Sequence, residues 1–194
     1  MTLPTQLTLL RLLMTFVIMG LLFVPGWGAK ATALVVFLLA SATDWLDGYL
    51  ARRWHLQSVL GALLDPIADK VLILGVFLTF VQLRLIPAWM VLIIAFREFF
   101  ITGVRLFAAS RNVVLSAAKE GKHKTVSQMT AIVVILGVLI ARDALGQDAL
   151  AAQTGGWLTW TVLGCMWVAM VLTFISGISF FWRHRTVLMD VVNR

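Results

Sequence analysis

The chain has 194 residues, 61% of them hydrophobic, and a mean hydropathy of +0.96, which excludes an ordinary water-soluble domain. Its net charge of +7 would suggest nucleic acid in a soluble protein. In so apolar a chain it reads instead as an orientation signal and as attraction to anionic lipid, so no nucleic-acid partner is expected.

Hydropathy predicts an all-α fold: an integral membrane bundle of six transmembrane helices in a single domain, 1–194. The spans fall at 8–25, 31–52, 60–83, 86–109, 124–142 and 156–182, judged against the ~20 residues that cross a bilayer. An N-terminal amphipathic segment, Thr2–Arg11, leads into the first span and suits an interface. No basic region precedes that span and no cleavage site follows it, so it is expected to stay in the mature protein. Pro25-Gly26 closes the first span. Arg53–Leu60 reads as a short polar connection between the second and third. Pro87 opens the fourth, where a missing N–H is harmless, and Gly146–Gly156 is a loop. Trp27, Trp89, Trp157 and Trp182 lie near span ends, as an aromatic belt does. Met14, Met19, Met90 and Met129 read as packing. Cys165 is the one cysteine, which excludes an internal disulfide and a cysteine-based metal cluster; its apolar setting also points to packing.

Basic residues set the orientation. With both termini in the cytoplasm, the inner side collects Arg11, Arg52, Arg53, Arg111, Lys119, Lys122, Lys124, Arg183, Arg185 and Arg194. The outer side keeps Lys30, Arg84 and Arg142.

Four acids break the apolar pattern. Asp44, Asp47, Asp65 and Asp69 stand between two almost wholly apolar stretches. A buried Asp costs roughly 2.5–3.5 kcal/mol near the centre of a membrane helix, so four unpaired ones cost on the order of 10 kcal/mol. Such residues line cavities and hold something positive. Asp44, Asp47, Gly48 and Ala51 share one helical face, as do Gly61, Asp65 and Asp69 on the next helix. Two antiparallel neighbours would bring two carboxylate pairs together, with Gly48 and Gly61 leaving room for a ligand. An all-carboxylate oxygen set suits a hard divalent cation, Mg²⁺ or Mn²⁺. The plainer reading is structural ion pairing, for which Arg52 and Lys70 are the cations nearest in sequence.

Asp44-x-x-Asp47-Gly48-x-x-Ala51-Arg52, eight residues, then Gly61-x-x-x-Asp65-x-x-x-Asp69 resembles the signature of the CDP-alcohol phosphotransferase family. Every fixed position is present at the family spacing. Gly61–Leu72, Phe96–Arg105, Gly121–Thr125 and Leu3–Arg11 resemble the bacterial branch that uses glycerol 3-phosphate, although other members often have Asn where this chain has Thr5. The likeness runs from residue 3 to about residue 129; beyond it only hydropathy matches.

The resemblance implies an enzyme of phospholipid biosynthesis in a bacterial cytoplasmic (inner) membrane, its active site facing the cytoplasm. It would transfer the phosphatidyl group of CDP-diacylglycerol to sn-glycerol 3-phosphate, giving phosphatidylglycerophosphate and CMP. It further implies two divalent cations, Mg²⁺ or Mn²⁺, held by Asp44, Asp47, Asp65 and Asp69, with Asp69 also the general base. Nucleotide contacts are implied at Gly48, Arg52 and Gly61, with Thr5 and Ser58 as further candidates for the same pocket, and the assembly implied is a homodimer. A family member using phosphatidylglycerol carries the same signature, and a divalent-cation transporter would also need intramembrane carboxylates.

Arg97 and Arg105 share a face of the fourth span, while Lys122 and Lys124 open the fifth. Arginine inside a span is costly and faces a polar cavity. These four form a candidate acceptor-phosphate site, with Arg giving bidentate contacts and Lys a point charge. The plainer alternative for Arg97 is an ion pair with Glu98 or an Asp. His55, His123 and His184 are expected to be solvated or to meet lipid headgroups. Ser127 and Thr125 lack the partners of a nucleophile.

Overall fold

A computed structural model describes residues 3–54, 59–111, 113, 120–145 and 156–192, with backbone alone described at 3–5, 44–54, 59–66, 120–123, 157 and 186–192. Among the described residues there are six helices and no strand: α1 Leu3–Phe23, α2 Trp27–Trp54, α3 Val59–Gln82, α4 Ala88–Ser110, α5 Glu120–Leu145 and α6 Trp157–Val192.

The outer surface is apolar and several buried positions are polar, as expected where lipid replaces water. Leu13, Phe16, Leu92, Phe96 and Trp160 are exposed, whereas Thr8, Arg11, Thr15, Gln128, Thr173 and Ser176 are buried. The windows Gln6–Phe23, Lys124–Leu145 and Leu158–Arg185 are long and apolar enough to cross a bilayer, and Trp27–Thr43 is a shorter apolar stretch. The protein is therefore a multi-pass membrane protein.

The N-terminal amphipathic segment forms the start of α1, continuous with the first span. Its polar residues Thr8 and Arg11 turn into the bundle while Leu9 and Leu10 face outward, because a polar stripe finds partners only inside. The second connection shortens to 55–58, since α2 and α3 continue into it. The sixth span continues as helix to Val192; its 36 residues run ~54 Å, well beyond a hydrocarbon core of ~30 Å.

α1 packs on α2 and α3, α5 on α2, α3 and α6, and α4 on α3 and α6. Gly75 permits the close approach of α3 to α1: a Cβ there would stand 3.1 Å from Thr15 Cγ2 and 3.2 Å from Met19 Sδ. Pro87 caps α4 in an extended conformation, and Gly26, at φ 101°, makes the turn between α1 and α2. Met90 is buried, while Met14, Met129 and Cys165 pack against the core, as expected of packing residues.

Each helix changes polarity along its length. α1, α3 and α5 begin polar, at Thr8 and Arg11, at Asp69 and Lys70, and at Lys124 and Gln128, then turn apolar. α4 and α6 begin apolar and turn polar, at Arg97 and at Thr173. These two run parallel, because Trp89 meets Trp167, Arg97 meets Ser176 and Phe100 meets Phe181 in succession. The polar halves of α3, α4, α5 and α6 therefore meet at one end of the bundle. At the other end Lys30 bonds the Val24 carbonyl and lies 3.5 Å from Asp143, tying α2 to α5.

Candidate active site

The polar end carries the aspartate motif. Asp44, Asp47, Gly48 and Arg52 lie in the last turns of α2, and Gly61, Asp65 and Asp69 in the first turns of α3. The helical spacing expected for both halves holds in the backbone. Of these seven, only Asp69 has a described side chain. Those of Asp44, Asp47, Gly48, Arg52, Gly61 and Asp65 lie outside the described residues, as do those of Thr5 and Lys122; Ser58, His55 and His123 lie outside altogether or in their side chains. Among the described residues no cluster of three metal-ligating side chains occurs.

Asp69 lines a small pocket with Lys70, Glu98, Lys124, Thr125 and Gln128, its floor closed by Ile73, Leu74 and Ile94. The pocket volume is about 20 Å³, room for roughly one water. α3, α4 and α5 thus bring together the expected base and one expected phosphate-binding lysine.

Lys70 lines the same pocket as Asp69 and also reaches α4. Its Nζ donates to Thr102 Oγ1 and, at 3.3 Å, to the Glu98 carbonyl, both on α4. The donor chemistry of the motif, four carboxylates and no nitrogen or sulfur, fits a hard divalent cation.

Arg97 adopts the plainer pairing and more. Nη1 lies 3.1 Å from Glu98 Oε1, and Nη2 donates to Ser176 Oγ at 2.8 Å. Lys124 Nζ donates to the same Glu98 Oε1. Arg105 stands apart from the pocket, its guanidinium over the Phe180 ring at 5.2 Å, yet within electrostatic range of Lys70 and Arg97. The Nε atoms of Arg97 and Arg105 are buried, with no hydrogen-bond partner among the described residues.

His184 corrects an expectation. It is buried rather than solvated, with Nδ1 3.0 Å from the Phe180 carbonyl and its ring tilted at 37° to that of Phe180, 4.7 Å between centroids. α6 continues past the expected end of its span, which keeps position 184 on the same inward stripe as Phe180. Ser127 donates to the Lys124 carbonyl of its own helix at 2.7 Å.

Sequence reasoning missed the residues that order these cations. Glu98 was considered only as a partner for Arg97. Ser176, Thr173 and Phe180 lie where only hydropathy matched. Gln128 donates to Thr173 Oγ1 at 2.9 Å, joining α5 to α6. A signal existed: Ala169, Thr173, Ser176 and Phe180 follow a helical stripe that turns polar midway.

Comparison with known proteins gives a consistent result. The family model for CDP-alcohol phosphatidyltransferase matches residues 1–175. The chain is similar to a CDP-diacylglycerol–glycerol-3-phosphate 3-phosphatidyltransferase of Cereibacter sphaeroides, 36% identical with 97% of this chain and 98% of the relative covered. It is similar to proteins of the same name from Bacillus subtilis, at 34% identity over 94% of each chain, and from Rickettsia typhi, at 32% over 95% of this chain and 97% of the relative.

Proposed function

The chain belongs to the CDP-alcohol phosphatidyltransferase family, and on that premise we propose that it transfers the phosphatidyl group of CDP-diacylglycerol to sn-glycerol 3-phosphate, releasing CMP. The observation that carries the acceptor assignment is the placement of Asp69 and Lys124 on one pocket, with Arg97 joined to Lys124 through Glu98. A carboxylate that takes a proton thus stands beside cations suited to a phosphate monoester.

The acceptor hydroxyl attacks the phosphorus that bears diacylglycerol. A new P–O bond forms, the bond to the CMP phosphate oxygen breaks, and the hydroxyl proton passes to Asp69. A carboxylate is a weak base at neutral pH, so its placement against the hydroxyl is the larger part of its contribution. Lys124, Arg97, Arg105 and Lys122 hold the acceptor phosphate. The pocket beside Asp69 is too small to enclose that phosphate, which therefore meets Lys124 at the mouth. Gly48, Arg52 and Gly61, with Thr5 and Ser58, form the nucleotide side. Asp44, Asp47, Asp65 and Asp69 would hold two divalent cations, Mg²⁺ or Mn²⁺, and such ions would supply positive charge against the pyrophosphate and the leaving group.

Positive-inside asymmetry supports an orientation with both termini and the polar end in the cytoplasm of a bacterial inner membrane, where nucleotide-activated substrate is made. The family resemblance supports a homodimer, which light scattering on the purified protein would test.

The deciding experiment is CMP release from CDP-diacylglycerol in detergent micelles, with one acceptor at a time. Glycerol 3-phosphate should be fastest and glycerol near background. Losing the phosphate removes several charge-assisted hydrogen bonds of roughly 1.5–3 kcal/mol each, which is about two orders of magnitude or more in kcat/KM. Fastest turnover with phosphatidylglycerol would move the protein to cardiolipin synthesis. Fastest turnover with serine would discard the phosphate site.

A further inference from the structure

Three cations from three helices converge on one residue. Glu98 Oε1 accepts from Arg97 Nη1 on its own helix and from Lys124 Nζ on α5. Its backbone carbonyl accepts from Lys70 Nζ on α3. The Glu98 side chain is 12% exposed and that of Lys124 14%, so water does little to screen repulsion among the three.

We propose that Glu98 is a positioning residue for the acceptor: it holds Lys124 and Arg97 in the arrangement that meets the phosphate of glycerol 3-phosphate. The inference rests on the acceptor-phosphate reading proposed above. The hydrogen-bond inventory permits it. An ammonium has three N–H donors and a guanidinium five. Glu98 takes one bond from each and Ser176 takes one more from Arg97, which leaves two ammonium N–H groups and two Nη N–H groups without a bond among the described residues. Both cations therefore keep donors for a phosphate while tied to Glu98.

Glu98 also decides which carboxylate Lys124 meets. Asp69 lines the same pocket and, among the described residues, also acts on the Lys124 charge. A Lys124 released from Glu98 would turn toward Asp69 and occupy the oxygen needed for the acceptor proton. Glu98 thus keeps the phosphate-binding cation and the base apart.

The direction of the effect separates positioning from simple charge. Glu98→Gln removes a negative charge, so if charge alone mattered the anionic acceptor would bind more tightly. Positioning requires the reverse. Steady-state CMP release should show the KM for glycerol 3-phosphate rising by about tenfold or more, with the KM for CDP-diacylglycerol within about twofold. Residues that act as a unit are not additive, so the rise in Glu98→Gln/Lys124→Gln should be smaller than the product of the two single rises, the remainder reflecting the loss of Arg97 placement. Glu98→Asp keeps the charge with a shorter reach and should give a smaller rise. It carries the test if the Gln variant does not yield folded protein. An unchanged or lowered acceptor KM in the folded Gln variant, an unchanged one in the Asp variant should only that variant fold, or full additivity with Lys124→Gln overturns the role of Glu98. If Lys124→Gln itself leaves the acceptor KM unchanged, the acceptor-site reading fails instead.

Discussion

The Arg97 guanidinium on α4 reaches Ser176 on α6, its Nη2 donating to the hydroxyl at 2.8 Å, and the residue that follows Ser176 is glycine. A Cβ on Gly177 would stand 3.3 Å from Arg97 Cγ and 3.6 Å from Nε. α6 therefore both anchors the arginine and makes room for its stem.

Two substitutions separate these roles. Ser176→Ala removes the acceptor of a charged donor that is 12% exposed and should cost about 1–3 kcal/mol of stability. Gly177→Val would press branched carbons against the Arg97 stem and push the guanidinium off Ser176. Both should raise the KM for glycerol 3-phosphate more than that for CDP-diacylglycerol, by roughly three- to tenfold. Equal rises for both substrates would show that α6 supports the bundle without placing Arg97.

Asp69→Asn keeps size and polarity but removes the basic oxygen and one negative charge. Turnover should fall by about two to four orders of magnitude, with CDP-diacylglycerol binding at least partly retained. Asp44→Asn and Asp47→Asn should weaken divalent-cation binding as well, measured by the metal concentration for half-maximal CMP release. More than a few per cent of activity in Asp69→Asn at saturating Mg²⁺, by the same order-of-magnitude scale, would remove Asp69 as the base.

Topology is checked by cysteine labelling in a Cys165→Ser background. Cysteines placed at Arg53 and Ser116 should react only from the cytoplasmic side, and one at Gln147 only from outside. The reverse pattern would put the aspartate motif on the side without nucleotide-activated substrate.

The helices and the motif were legible because the forces behind them are local. Long apolar runs give spans, and a fixed i, i+4, i+8 series such as Gly61, Asp65 and Asp69 survives in the backbone of α3. Arg97 and Lys124 were legible as misfits, since charge inside an apolar run needs a cause. Their partners were not. Lys124 lies 26 residues from Glu98, and Arg97 lies 79 from Ser176; only packing brings them together. Nor were the partners of Lys70 legible, since its bonds to Thr102 and the Glu98 carbonyl also depend on helix packing. His184 looked solvated because Arg183 and Arg185 flank it. One residue of rotation turns its ring inward while Arg185 stays exposed, over Trp182.

The far end of the bundle offers a control with the opposite expectation. The Lys30 side chain is 9% exposed and pairs with Asp143, which is 21% exposed. Removing one member of a buried pair strands the other, and the stranded group sets the cost. Asp143→Ala leaves a buried ammonium that still donates to the Val24 carbonyl, so it should destabilise by about 1–3 kcal/mol. Lys30→Met leaves instead a carboxylate close to water and fills the vacated space with an apolar side chain, so it should cost less. Thermal unfolding in detergent should rank Asp143→Ala below Lys30→Met, with both below the parent protein. The KM for glycerol 3-phosphate should stay unchanged in each, because this pair lies at the end of α5 opposite Lys124. A loss of acceptor affinity without loss of stability would mean that the two ends of the bundle are coupled, and that the polar end is not the self-contained site its contacts describe.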